Sequence, residues 1–265
     1  MTSECLQLQA INPNLCIKND ASYHDMYYMN PPAKDLSKIA SSDKVKKVQK
    51  DFEATHVRPE RLMKTLFTDE AYVKANVDEA RLMRRLFDLA CNMQSHDTDM
   101  QLYSLFTDEE CYDLWSCNNL YWYLTHACSP VTDGLMPYRE ADLLRNILDR
   151  ADAALKEGKK QATLRFGHES CLLPLVALLE LNHYGESYPD VEKLSEQWRA
   201  YDIFPMASNV QFVFFHKKGS NDVLVKVLLN EKETKLPVKT DVAPYYHWKD
   251  VESYYREKLD KYQHI

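Results

Sequence analysis

Glycine is scarce in this chain: five in 265 residues, where average usage gives roughly 18. They stand at Gly134, Gly158, Gly167, Gly185 and Gly219. No G-x-G-x-x-G and no G-x-x-x-x-G-K-S/T can be written from them, so nucleotide binding through either loop is excluded. No apolar run approaches the roughly 18 residues of a transmembrane helix. The opening MTSECLQLQAINPN lacks the basic segment and long apolar core of a signal peptide. A cationic excess is missing too. Lys and Arg number 33 against 40 Asp and Glu, a net charge of −7, which argues against a general nucleic-acid binder. The seven cysteines include no CxxC pair; their odd number leaves at least one free thiol and leans towards a reducing compartment.

What is present is globular in character. The chain is 45% apolar and 28% charged, with enough length for a sizeable core in one large domain or two modest ones. Its 17 tyrosines suit a packed domain with a polar, tyrosine-rich cleft. The chain starts in mid-pattern without a leading strand, a hint that something upstream is missing. Thr2 or Ser3 is expected to cap a short helix with Cys5, Leu6 and Ile11 inward, followed by an extended stretch near Leu15 to Asn19. From Pro31 to His126 the pattern is helical. Val45, Val48 and Phe52 share one face of a helix whose lysines read as a solvated face rather than a phosphate patch. Pro59 starts a helix with Leu62, Met63 and Leu66, and Glu79 to Cys91 carries Leu82, Met83, Leu86, Leu89 and Ala90. Leu66-Phe67-Thr68-Asp69-Glu70 and Leu105-Phe106-Thr107-Asp108-Glu109 read as one capping solution used twice. In the second copy Thr107 and Glu110 form a capping box for a helix running to His126. Cys111, Cys117, His126 and Cys128 read as buried residues rather than zinc ligands, because six-residue spacing puts Cys111 and Cys117 on different faces.

After Pro130 helix and strand alternate. Arg139 to Glu157 is an amphipathic helix with Leu143, Leu144, Ile147, Leu148, Ala151, Ala154 and Leu155 in one stripe, and Gly158 sits where a left-handed cap is wanted. Ala162 to Phe166 predicts a short strand, then an apolar helix through Leu181. Val210 to His216 and Val223 to Leu229 predict strands, Thr234 to Val238 a third, and His247 to Tyr262 a closing helix. This gives an α/β unit over 131–265, a mainly helical unit over 31–130, and a first segment 1–30 belonging to the α/β part.

One segment combines chemical groups with a suitable backbone. Leu164-Arg165-Phe166-Gly167-His168-Glu169-Ser170 passes from predicted strand to helix, where open α/β sheets bind ligands. Gly167 is expected to allow a sharp turn and close approach. His168 and Glu169 emerge at a helix N-terminus, whose free N–H groups and dipole favour an anion, and Arg165 adds a cation. A histidine for transition-state charge and a carboxylic acid for proton donation suit phosphoryl transfer. The alternative is a capped helix start with a satisfied histidine.

The run Arg165-Phe166-Gly167-His168-Glu169-Ser170-Cys171-Leu172-Leu173-Pro174-Leu175 resembles the C-terminal signature of the histidine acid phosphatases, most of all the bacterial relatives of multiple inositol polyphosphate phosphatase. The resemblance continues through Pro205-Met206-Ala207-Ser208-Asn209 and the following strand, Val223 to Lys232, and Pro244-Tyr245-Tyr246-His247-Trp248. It implies a histidine-phosphatase-like (phosphoglycerate-mutase-like) α/β sandwich with a mainly helical inserted domain. It also implies hydrolysis of phosphomonoesters, inositol phosphates among them, through a phosphohistidine and without metal or other cofactor. His168 matches the family histidine that contacts the phosphoryl group. Glu169 stands where His-Asp enzymes carry the acid that protonates the leaving oxygen, and one residue earlier than the Glu of His-Ala-Glu enzymes. Arg165 is the candidate substrate-binding residue.

The family's nucleophile, the histidine of R-H-G-x-R-x-P, has no match here. His56-Val57-Arg58-Pro59 lacks the preceding Arg and the Gly and lies in helical context, so it is no substitute. The chain resembles the C-terminal two-thirds of such a phosphatase, incomplete at its N-terminus, with little or no turnover alone. The competing reading is a non-catalytic anion binder or a protein completed by a partner. The expected ligand is a phosphorylated small molecule, with neither nucleic acid nor membrane as partner, and self-association is expected through an uncovered sheet edge near residues 162–166. The resemblance implies a periplasmic or secreted location.

Overall fold

Helix starts in the first half of the chain are written as Ser, Thr or Asp ahead of an apolar repeat, and the folded chain uses them. The structure, a computed structural model, describes residues 2–14, 17, 26–29 and 34–262. Helices α1 (Thr2–Ile11) and α2 (Lys34–Ala40) come first. Ser42 then accepts from the Val45 N–H to open α3 (Asp43–His56). Pro59 precedes α4 (Glu60–Leu66), Asp69 caps α5 (Glu70–Asn76) and Asp78 caps α6 (Glu79–Asn92). Thr107 and Glu110 close the expected capping box on α7 (Asp108–His126).

The two similar openings are capped differently. Thr68 cannot form a capping box because the residue three positions on is Ala71, so Asp69 takes over and accepts from the Tyr72 N–H. The first helix also departs from expectation: Leu6 and Ile11 face outward, Ile11 with 81% of its surface exposed. Capping by Thr2 or Ser3, the placement of the Cys5 side chain, and Leu15 to Asn19 apart from Ile17 lie outside the described residues.

The second half is built on α8 (Ala141–Glu157), ended by Gly158 in the left-handed conformation, and on α9 (Glu169–Leu178). α9 is apolar all round and buried from Cys171 onward apart from Leu172, the pattern of a central helix. It stops at Leu178 rather than Leu181 because Glu180 and Asn182 both take positive φ. Short helices α10 (Leu194–Gln197) and α11 (Ala200–Ile203) follow.

Strands β1 (Val210–His216) and β2 (Val223–Leu229) pair antiparallel, from Val210 opposite Leu229 to His216 opposite Val223. On the far side of β2, β3 (Lys232–Glu233) pairs at one end and β4 (Tyr246–His247) at the other. α12 (Trp248–Tyr262) closes the chain. It lays Val251, Tyr255 and Leu259 into the core that Val225, Val227 and Leu229 of β2 also enter. The third strand therefore falls before Thr234 to Val238. The Thr234 N–H still reaches the Val227 carbonyl, then the chain leaves the sheet and the Leu236 N–H is taken by the Tyr246 hydroxyl.

Among the described residues, two apolar clusters form the core. The larger joins α8, α9, β2 and α12 with Val45 and Phe52 of α3 and the C-terminal half of α7. The smaller packs Leu62, Met63, Val73, Met83 and Ala90 against Phe106 and Leu114. Helix α6 thus buries Met83 and Ala90 while Leu89 points to solvent. Arg61 binds Glu110, and Arg58 binds Glu109 and Asp113, so α7 runs through both clusters. Buried Asn119 ties α7 to α11, donating to the Trp198 carbonyl and accepting from the Ala200 N–H.

Candidate functional site

Ala162 to Phe166 forms no strand. The backbone from Gln161 to His168 runs without regular structure and without a ladder partner among the described residues. A strand exists only where a neighbour accepts its hydrogen bonds, and none of the described residues supplies one. The side chains still alternate: Leu164 and Phe166 face solvent, 60% and 43% exposed, while Arg165 between them turns inward.

His168 ends this segment as the N-cap of α9 in an extended conformation, and its side chain makes no capping bond. The Cys171 and Leu172 N–H groups both reach the His168 carbonyl, at 3.0 and 3.1 Å. Glu169 is the first residue of the helix. Both side chains are exposed. The helix start therefore presents an imidazole and a carboxyl to solvent where the positive end of the dipole lies.

Arg165 is held differently. Its Nη2 donates to Asn146 Oδ1 of α8 at 2.6 Å, with Tyr28 nearby. Its Nε is buried and without a partner. Burial lowers its pKa from the ordinary value, yet a guanidinium stays charged. Asn146 and Tyr28 both lie far from Arg165 in sequence, so nothing in the local pattern pointed to them.

Gly167 is not in the left-handed region, so no sharp turn depends on it. A Cβ there would lie 3.2 Å from Met29 Cε. The supposed need for glycine at this position is a matter of side-chain space.

A further acidic group was missed by sequence reading. Glu140, in the 3-10 turn Met136–Glu140 that packs on α9, is buried, with Oε2 unpartnered. Burial pushes its carboxyl up to about 8, opposed by Arg139. Its sequence context, Arg139-Glu140-Ala141-Asp142, reads as an exposed polar start to α8. The thiols behave as small apolar groups: burial raises Cys111, Cys117 to about 12, and Cys128 to about 11. Among the described residues no group of three or more His, Cys, Asp or Glu is placed to hold a metal.

His56 stacks on Phe52 with centroids 3.8 Å apart, and Arg58 is spent on Glu109 and Asp113. The pair thus serves α3 and α7 and does not join the α9 start. A cleft of about 540 Å³ lies at the other end of α9, lined in part by Cys128, Glu180 and Lys258. Lys258 donates to the Leu178 carbonyl at 2.7 Å and pairs with Glu180 at 3.2 Å, which is how a cation closes a helix C-terminus.

Comparison with known proteins agrees with the α9 signature. The model of the histidine phosphatase superfamily (branch 2) matches residues 15–230. Multiple inositol polyphosphate phosphatase 1 of Homo sapiens is 28% identical over 134 residues, 46% of this chain and 27% of that protein. The fold resembles Bifidobacterium longum multiple inositol polyphosphate phosphatase. In its complex with phosphate the TM-score is 0.59 at 20% identity, over 97% of this chain and 58% of that one. With inositol hexasulfate it is 0.55 at 20% identity, over 91% and 59%. The chain thus spans under two thirds of each relative's length. No helix among the described residues is long and apolar enough to cross a membrane. With most of its length inside the matched span, the chain belongs to branch 2 of the histidine phosphatase superfamily.

Proposed function

We propose that this chain supplies the proton-donor half of a phosphomonoesterase site, with inositol polyphosphates as the substrate class. His168 contacts the phosphoryl group, Glu169 protonates the leaving oxygen, and Arg165 binds phosphate oxygens. The observation that carries the reading is the open start of α9, where His168 and Glu169 stand exposed with no side-chain cap. An anion there meets free N–H groups, the helix dipole and an imidazole together.

No R-H-G occurs in the 265 residues, so the covalent step needs a histidine from outside them. The expected result with p-nitrophenyl phosphate and phytate at acid pH is little or no turnover, together with a phosphate-dependent shift of the His168 ring resonances. Robust hydrolysis that His168→Ala abolishes would defeat the half-site reading. A second reading, completion by a partner strand, is favoured by the solvent-facing Leu164 and Phe166. Mixing with a fragment that carries R-H-G-x-R-x-P should then restore turnover and cover both side chains.

A further inference from the structure

The loop 234–245 leaves the sheet after β3 and returns to it at β4. Its near end is tied just past the C-terminus of α9, where the Lys235 N–H donates to Asn182 Oδ1 and the Asn182 N–H to the Lys235 carbonyl, both at 3.0 Å. Its tip is tied to itself: Thr240 Oγ1 donates to the Tyr245 carbonyl at 2.7 Å, and the Tyr245 N–H to the Val242 carbonyl at 3.0 Å. At the return stands His247, opposite Leu224 of β2. Its Nδ1 lies 3.1 and 3.0 Å from the two carboxylate oxygens of Asp222, at the β1–β2 turn. Its Nε2 lies 3.0 Å from Asp241 Oδ1, in the loop.

A neutral imidazole has one N–H and one lone pair; only the imidazolium donates from both nitrogens. Aspartates are ionised above about pH 4. With a carboxylate on each side, a neutral ring must turn its lone pair on one of them, and that contact becomes repulsive. Asp222 and then Asp241 accordingly raise the pKa of His247. The other charged groups around the ring are engaged elsewhere or face solvent. Lys226 shares its face of β2 and pairs with Glu233 at 3.1 Å. His216, at the end of β1, turns its Nε2 to the Ser220 carbonyl at 2.7 Å. Lys249 and Asp250, in the first turn of α12, are exposed. The two carboxylates are not equally held. Asp222 meets the ring with both oxygens, and its own N–H is bonded to Ser220 Oγ at 3.0 Å. Asp241 meets it with one oxygen from a side chain that is 84% exposed. Asp241 is therefore the one that lets go.

We infer that His247 is a pH-sensitive clasp: its imidazolium pins the tip of the 234–245 loop to the β1–β2 turn, and loss of its proton to solvent releases Asp241 and that tip. The device stands apart from the α9 start and does not depend on the half-site reading.

The test uses the whole 265-residue chain and its Asp241→Asn variant, followed by NMR between pH 5 and 8. The readouts are the His247 ring resonances and water exchange of the Tyr245 N–H, corrected for the intrinsic pH dependence of amide exchange. Protection of the wild-type Tyr245 N–H should fall about three- to fivefold across that range, as befits an exposed ion pair, with the midpoint of the His247 ring titration. In Asp241→Asn, protection should stand at the released level throughout and the ring should titrate at lower pH. Wild-type protection that is equal at pH 5 and 8 overturns the inference, and so does a fall that survives unchanged in Asp241→Asn.

Discussion

At the scale of single residues, the five glycines have different physical reasons to be there. Gly158 ends α8 at φ 64°, a conformation in which a Cβ is strained. Gly185 has ordinary φ, but a Cβ there would sit 2.8 Å from the Glu180 Cα, inside hard contact with backbone. Gly167 has neither problem, since its nearest neighbour is the flexible tip of Met29. Alanine substitution should therefore cost about 1 kcal/mol at Gly158 and about 2 kcal/mol or more at Gly185. At Gly167 the change should stay within about 0.5 kcal/mol of zero. Urea denaturation of the three variants checks the order, and a Gly167→Ala loss as large as that of Gly185→Ala would show that backbone strain at the site had been misread. The sequence next to His168 invited the opposite ranking, because the local G-H-E pattern says nothing of Met29 or Glu180.

At the scale of elements, legibility followed the range of the forces involved. β1 and β2 start and end where the apolar β-branched and aromatic runs do, and α12 and α8 fall within two residues of expectation. These elements are fixed by a one-sided apolar stripe and by caps that act over three or four residues. Ala162 to Phe166 failed because strand identity lies with the neighbour, and β4 escaped notice because two residues carry no period. The caps give a direct test. Thr107→Ala removes the hydroxyl that accepts from the Glu110 N–H, while the Glu110 carboxylate can still accept from the backbone N–H of residue 107, and should cost about 1 kcal/mol. In the look-alike opening Asp69→Ala should cost about 1 kcal/mol and Thr68→Ala almost nothing. Chemical denaturation decides it, and a Thr68→Ala effect equal to that of Asp69→Ala would restore the view that the two openings share one cap.

At the scale of the whole molecule, two buried groups near α9 shape stability against pH from opposite sides. His126, next to Thr125 Oγ1 at 2.7 Å, is pushed down to about 4, by burial first and the Arg139 cation second. Between its ordinary 6.5 and that value the unfolded chain takes up a proton that the folded chain refuses, so stability is lost as pH falls through this range. Glu140 is pushed up to about 8. Here the folded chain keeps a proton that the unfolded chain releases above the ordinary 4.5, so stability is lost as pH rises towards 8. From 4.5 to 6.5 the two slopes cancel, which leaves a plateau between an acid limb set by His126 and an alkaline limb set by Glu140. His247, bridging Asp222 and Asp241 at 3.0 Å each, has a raised pKa. Its contribution is present below 6.5 and fades at higher pH, which deepens the alkaline limb. Glu140→Gln should therefore match wild type near pH 4 and gain on it steadily to pH 8, by on the order of 2 kcal/mol. His126→Asn should leave the slope above pH 6.5 alone, flatten the fall below 4.5, and turn the plateau between 4.5 and 6.5 into a decline with rising pH. Arg139 acts on both groups, favouring the charged form of Glu140 and the neutral form of His126. Arg139→Met should accordingly steepen the alkaline limb and soften the acid one, which no change in general stability can do. Unfolding free energies from urea titrations between pH 4 and 8.5 read all three variants, and a constant offset from wild type across that range in Arg139→Met would break the link between the two limbs.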